Sequence, residues 1–145
     1  MHPEIEFLIR LVIAGALASL LGWEREEARK PAGLRTHMLV GIAAALYTSI
    51  AELAVADIGP RDQGFQADPI RAVQAVAIGI GFLGSGVIFV SRNEDRVKGL
   101  TTAASVWATA AIGIAAGLAH YVLAVGATLM LLFVLRVLVR FDAPD

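Results

Sequence analysis

Apolar positions in this chain come in long unbroken stretches, and five of these approach the length of a bilayer crossing: Ile5–Gly22, Met38–Ala56, Ala72–Val90, Leu100–Ala119 and Tyr121–Leu138. A hydrocarbon core of about 30 Å takes about 20 helical residues. The stretches are rich in Ala, Leu, Ile and Gly and show no alternation over short segments, so they predict helices and not barrel strands. The expectation is an all-α polytopic membrane protein with five transmembrane helices, forming a single transmembrane domain over residues 1–145 with no soluble C-terminal domain. Ala16-Leu17-Ala18 has the small-x-small form of a signal cleavage site. The residues ahead of the run are acidic (Glu4, Glu6), however, and its apolar character continues through Leu21, so a retained helix is expected.

Composition sharpens that picture. Hydrophobic residues make up 57% of the 145 and charged residues 17%, with a mean hydropathy of +0.71, leaving more apolar surface than a water-soluble globule of this length can hide. The absence of cysteine excludes disulfide and thiol chemistry. A net charge of −1 offers no footprint for nucleic acid. Basic residues follow the first run (Arg25, Arg29, Lys30, Arg35), follow the third (Arg92, Arg96, Lys98) and close the chain (Arg136, Arg140). The opposite side keeps Arg61 and Arg71 in Asp57–Arg71, and the turn at Gly117–Tyr121 has no Lys or Arg. The positive-inside rule then puts the N-terminus outside and the C-terminus inside.

Candidate chemistry concentrates in Gly22–Gly41, "GWEREEARKPAGLRTHMLVG". Its connector ends in "GLRT", Gly33–Thr36, and the connector after the third run ends in "GLTT", Gly99–Thr102, 66 residues on. The pairing predicts two parallel helical-hairpin repeats plus a fifth helix, with Thr36 and Thr102 as N-caps of two adjacent helix ends. Such ends favour nearby carboxylates. The expected polar cluster is Glu24, Arg25, Glu26, Arg35, Thr36, Thr101 and Thr102, with Glu27 and Arg29 toward water. The alternative is a solvated connector in which Glu26 and Lys30 form an i,i+4 pair worth tenths of a kcal/mol.

The second helix carries His37, Gly41, Ala45, Thr48 and Glu52 on one stripe. A carboxylate within a span costs at least ~2.5 kcal/mol on insertion scales, so Glu52 either meets a partner or water or snorkels to the surface. His37 is expected to be an interfacial polar residue, since no second His or Cys stands at ligand spacing. "GIGFLGSG", Gly79–Gly86, matches a nucleotide fingerprint on paper but sits inside a span with no preceding strand. Helix packing is the expected use of Gly79, Gly81, Gly84, Ser85 and Gly86, with Gly81 and Ser85 as a small-xxx-small pair. Thr101, Ser105, Thr109, Gly113 and Gly117 repeat the device on the fourth helix. Asp68-Pro69 reads as an N-cap followed by a first-turn proline, with Arg71 and Gln74 extending an outer polar cluster.

Taken together, "GWERE" (Gly22–Glu26), "KPAGLRTHMLVGIAAALYT" (Lys30–Thr48), "ADPIR" (Ala67–Arg71), "GIGFLGSGVI" (Gly79–Ile88) and "VKGLTTAASVWATAAIG" (Val97–Gly113) resemble the MgtC/SapB family in order along nearly the whole chain. The resemblance implies a multi-pass protein of the bacterial inner membrane, associated with growth at low magnesium and, in pathogens, with virulence. It implies a regulator of other membrane proteins, with ATP synthase, a transporter or a sensor as candidate partners. The family motif falls on Glu24, Arg25, Glu26, Pro31, Gly33, Arg35, Thr36, Asp68, Gly84, Gly86, Thr101, Thr102 and Trp107.

The leading expectation is therefore a non-enzymatic regulator that binds membrane partners through helix faces and forms a homodimer. It carries no resident cofactor, with weak Mg2+ binding left open. The alternative is a small transporter or channel, for instance for magnesium, with Glu52 and Glu24–Glu27 as polar stations. An intramembrane enzyme ranks below both, because no nucleophile–base pair or metal set is visible in the sequence.

Overall fold

The computed structural model describes residues 3–58, 69–91 and 96–138. Asp68, Arg61, Arg92 and Arg140, to which the sequence assigned capping or orienting roles, lie outside them. Five helices run in order: α1 (Pro3–Glu27), α2 (Leu34–Ile58), α3 (Pro69–Ser85), α4 (Leu100–Gly117) and α5 (Tyr121–Val137). Between α3 and α4 stands a two-stranded antiparallel ribbon, β1 (Phe89–Ser91) and β2 (Arg96–Lys98), with Val90 opposite Val97. Among the described residues, three helices are long and apolar enough to cross a membrane, Glu4–Glu27, Leu34–Ala56 and Leu100–Gly117; α3 and α5 are shorter apolar helices.

The central element is α4, which packs against all four other helices. Its small residues explain this. A Cβ on Gly113 would collide with the Gly41 carbonyl oxygen and stand 2.9 Å from the Ala44 Cβ, and one on Gly117 would collide with the Thr48 hydroxyl. Gly41 in turn lies under Ala18 of α1, 2.7 Å from where its own Cβ would be. Three backbones thus meet through glycine, the close approach that drives helix association where lipid offers no hydrophobic gradient.

Several element ends depart from the sequence reading. The charged stretch Trp23–Glu27 is the last turn of α1, so the connector is only residues 28–33. That helix closes in a Schellman motif: the Lys30 amide donates to the Arg25 carbonyl and the Arg29 amide to that of Glu26, with Arg29 left-handed at φ 53°. The end of α4 repeats it, with Ala119 at φ 59° and the His120 amide donating to the Ala115 carbonyl.

Thr36 and Thr102 are not N-caps. The helices begin at Leu34 and Leu100, so each threonine falls inside the first turn and a glycine, Gly33 or Gly99, takes the cap position. Glycine is required at Gly99, where φ is 88° and any Cβ would collide with the Val87 carbonyl. The third apolar run also stops short of its expected length. After Ser85 the chain turns through Gly86 and Val87 and becomes strand, because Gly84 and Gly86 weaken the helix and Val87, Ile88 and Val90 are β-branched.

Candidate functional site

On α1, Arg10, Ala14, Ala18, Leu21 and Arg25 recur at helical spacing and are all buried, making one stripe with a cation at each end. Facing it are His37, Gly41, Ala45 and Thr48 of α2 and Thr102, Ser105, Thr109, Gly113 and Gly117 of α4, also buried. The site is this seam, and its two charged ends differ.

At the far end, Arg10 joins three helices. Its Nη1 donates to Glu52 Oε2 at 2.5 Å and to the Gly117 carbonyl at 2.9 Å, and its Nη2 donates to Glu6 Oε1 at 2.6 Å. The guanidinium also lies 4.7 Å from the centre of the Phe7 ring. The arginine side chain is 7% exposed, whereas Glu52 and Glu6 are about half exposed, at 46% and 50%. Glu52 therefore meets a buried partner while keeping one side toward water. A 270 Å³ pocket beside it is lined by Thr48, Ala51, Glu52, Val55, Leu118 and His120. Arg71 stands exposed on the first turn of α3.

At the connector end, Glu24 and Arg25 are both buried, with the Arg25 Nε 2.9 Å from the Glu24 Oε2. That contact lacks hydrogen-bond geometry, so Glu24 Oε2 and Arg25 Nε and Nη1 have no hydrogen-bond partner among the described residues. Within the expected polar cluster, Glu24, Glu26 and Arg35 are not desolvated together: Glu26 and Arg35 are exposed, and the buried cation is Arg25. Glu26 instead accepts from the Leu34 amide at 2.8 Å, satisfying one orphan donor at the start of α2. Gly33 leaves room for it, since a Cβ there would sit 2.8 Å from the Glu26 carboxylate. Glu27 and Arg29 are exposed, and Glu27 pairs with Arg136 of α5 at 3.2 Å.

His37, expected as a polar residue at the inner end of α2, is fully buried. Its Nδ1 lies 2.9 Å from the Gly33 carbonyl and its Nε2 3.2 Å from the Ser105 hydroxyl. The carbonyl requires Nδ1–H, so in the neutral ring Nε2 accepts from Ser105. Ser105 has one proton and a second claimant, the Thr102 carbonyl at 2.8 Å, so His37 and the α4 backbone compete for it. Gly22 allows this docking, since a Cβ there would stand 2.7 Å from the Leu34 Cα and 3.0 Å from the His37 Cβ.

Between the ends, the polar groups bond to their own helices. Thr109 donates to the Ser105 carbonyl at 2.8 Å, and Thr48 lies 3.1 and 3.0 Å from the carbonyls of Ala44 and Ala45. Ser49, buried nearby, has a hydroxyl without a hydrogen-bond partner among the described residues. Thr101 is exposed, as is Trp107. No three His, Cys, Asp or Glu side chains come together among the described residues.

The packing role expected of the α3 glycines holds only for Gly84, which would place a Cβ 3.6 Å from Ala103. Among the described residues, a Cβ on Gly79 or Gly81 would meet nothing within 4 Å, Ser85 is exposed and bonds back to the Phe82 carbonyl, and Gly86 belongs to the turn. The reason is helical phase: α3 touches its neighbours along Val76, Ile80 and Gly84, and Gly79 and Gly81 flank that line. Between α2 and α3 an apolar groove of about 520 Å³ runs from Leu39 and Leu83 to Tyr47 and Ala75, with Gly79 in its wall.

The description of the MgtC family matches residues 11–143. YhiD of Escherichia coli (strain K12), provisionally named a magnesium transporter, is 43% identical over 132 residues, covering 91% of this chain and 60% of that protein. SapB of Bacillus subtilis (strain 168) is 33% identical over 147 residues, 99% of this chain and 62% of its own length. MgtC of Brucella abortus (strain 2308) is 38% identical over 107 residues, 72% of this chain and 40% of its own length. The chain thus spans less than two thirds of these relatives. No solved structure matches it.

Proposed function

The chain belongs to the MgtC family, and from that premise we propose that it is a non-enzymatic regulator in the bacterial inner membrane that acts by binding other membrane proteins under magnesium limitation. In this reading all five helices cross the bilayer, with the N-terminus outside and the α1–α2 connector in the cytoplasm. The chain pairs with a second copy, and its partners are of the kind represented by ATP synthase, a transporter or a sensor. Membership also carries the expectation of a contribution to virulence where the host organism is a pathogen.

One observation carries the regulatory reading. The seam between α1, α2 and α4 is closed at its waist by Gly41 and Gly113, and its hydroxyls turn back onto their own carbonyls. A permeating ion needs oxygens free to replace its water, and this interior offers tight packing instead. The surfaces left open face outward, along the α2–α3 groove and the bare Gly79 and Gly81. The transporter alternative draws on the provisional name of the Escherichia coli relative and on Glu52, half exposed beside its pocket.

Purified protein in sealed vesicles, loaded with a magnesium-sensitive dye, separates the two. The regulatory reading expects no Mg2+ flux above protein-free vesicles and recovery of a membrane complex with the tagged protein from cells grown at low magnesium. Protein-dependent flux abolished by Glu52→Gln would overturn it.

A further inference from the structure

The end of the seam where Arg10 sits holds more negative charge than it balances. Arg10 meets two carboxylates, Glu6 and Glu52, and no other Lys or Arg occurs on residues 3–13 of α1, 48–58 of α2 or 113–124 around the α4–α5 turn. One negative charge is in excess. Glu52 gives its Oε2 to Arg10, and its Oε1 has no hydrogen-bond partner among the described residues.

That carboxylate is part of the wall of the 270 Å³ pocket. Thr48, Ala51, Glu52 and Val55 line it from one face of α2, and Leu118 and His120 line it from the α4–α5 turn. Ala51, Val55 and Leu118 make the wall apolar on one side, so it suits the carbons of an organic cation better than the water shell of a metal ion. The polar groups say which cation. Thr48 gives its one proton to the carbonyls of its own helix, which leaves its hydroxyl oxygen, like Glu52 Oε1, to accept. Two acceptors side by side call for a group with several N–H donors, and a primary ammonium has three. His120 is exposed and makes no side-chain cap bond to α5, so its ring is free for an anionic group carried beside the ammonium. Glu52 lies four residues before Ala56, where the apolar span of α2 ends, and so about 6 Å inside it. In a bilayer that is the layer where headgroups meet acyl chains.

We propose that this pocket binds the headgroup of an aminophospholipid of the phosphatidylethanolamine kind. Glu52 and Thr48 accept from its ammonium, the two methylenes lie against Ala51, Val55 and Leu118, and His120 serves the phosphate. The bound ammonium balances the second carboxylate of the Arg10 junction, which ties the lipid to the contact that joins α1, α2 and α4. A free amine would use the same acceptors but would not draw on the depth of the site. The proposal goes beyond the regulatory reading and rests only on α2 crossing the bilayer. Resistance of the membrane-bound protein to alkaline extraction checks that premise separately.

The test is native mass spectrometry of the delipidated full chain in mild detergent. It is titrated in separate arms with phosphatidylethanolamine, phosphatidylcholine and phosphatidylglycerol of identical tails, and with ethanolamine as competitor. Wild type is expected to hold one phosphatidylethanolamine and to bind the other two at least about tenfold more weakly, since a quaternary ammonium has no N–H to donate and glycerol has no charge. Ethanolamine should displace little of the lipid. Glu52→Gln should bind all three lipids alike. Ala51→Leu, which fills the pocket and leaves the Arg10 junction in place, should lower phosphatidylethanolamine binding by a similar factor, and it decides the matter if Glu52→Gln does not fold. Glu27→Gln, exposed at the other end of α1, should bind as wild type. The proposal falls if phosphatidylcholine or phosphatidylglycerol binds wild type as tightly, if Glu52→Gln keeps the preference, or if Ala51→Leu binds as wild type. A loss in Glu27→Gln equal to that in Glu52→Gln would also sink it, and full displacement by ethanolamine would overturn it by placing a free amine in the site.

Discussion

The Arg10 junction makes a prediction in which removing a charge does less harm than stranding it. Arg10 is almost fully buried, but its two carboxylate partners are about half exposed. Replacing Arg10 by Met lets Glu6 and Glu52 rehydrate and orphans mainly the Gly117 carbonyl, a loss of about 1–2 kcal/mol. Either single change, Glu6→Gln or Glu52→Gln, weakens a partly screened contact by about 1 kcal/mol. The double change Glu6→Gln with Glu52→Gln strands the guanidinium with only the Gly117 carbonyl and the Phe7 ring. Fully buried charges stripped of a partner lose 3–5 kcal/mol; with Gln still offering a carbonyl oxygen, about 3 kcal/mol is expected. Adding Arg10→Met to that double variant should restore part of the loss, which is the non-additivity expected of contacting groups. Reversible unfolding in detergent micelles, followed by the fluorescence of Trp23 and Trp107, measures all five variants. Greater destabilisation by Arg10→Met than by the double carboxylate change would refute the reasoning, since it would mean that the carboxylates are not what offsets the buried charge.

Three further outcomes follow from the packing and the helix ends. Gly113→Ala drives a methyl into the Gly41 backbone and should lower the amount of folded protein in membranes several-fold, while Gly79→Ala and Gly81→Ala, facing open space, should not; equal abundance for all three would refute the glycine-mediated closure. Ala119→Gly relieves a left-handed residue at the close of α4 and should raise stability by about 1 kcal/mol, read as a higher thermal midpoint; an unchanged midpoint would count against the Schellman ending. Glu26→Ala removes the side-chain acceptor for the Leu34 amide and should cost about 1 kcal/mol, whereas exposed Arg35→Ala should stay within about 0.5 kcal/mol; the reverse order would restore Arg35 to the buried cluster.

Existence and order of the five helices were legible because unbroken apolar runs are the strongest signal a sequence carries. Their ends were not. Hydropathy cannot tell that Trp23–Glu27 continues a helix, since a charged turn reads the same wound or unwound, and it cannot separate the β-branched run after Gly86 from more helix. Gly33 and Gly99 shared a role, as their matching contexts suggested, but it was the cap position that threonine chemistry had claimed for Thr36 and Thr102. In the site, the charged connector drew attention as a block, and only the fold distinguishes Arg25, turned inward, from Arg35, turned outward. Arg10 and Ser49 were overlooked. Arg10 had a signal available: a lone cation in a long apolar run, spaced at four from Ala14 and Ala18 on the way to Arg25, needs a counter-charge, and Glu52 was the intramembrane carboxylate already in view. Nothing comparable marks Ser49, because a serine within a helix satisfies itself in most settings.

The three-way grip of Arg10 also bears on how the chain is made. Its first helix leaves the ribosome with Glu6 and the Phe7 ring beside that guanidinium; Glu52 follows 42 residues after it and the Gly117 carbonyl 107. At synthesis rates of 5–20 residues per second, the longer interval is roughly 5 to 20 s. Through it α1 carries a charge that translocon scales set at about 2.5–3.5 kcal/mol against lipid at a helix centre. Until α4 arrives, the nascent chain is thus an incomplete intermediate whose weakest point is its own first span. Premature termination before Glu52 should yield fragments that membrane quality-control proteases recognise by that incompletely paired arginine.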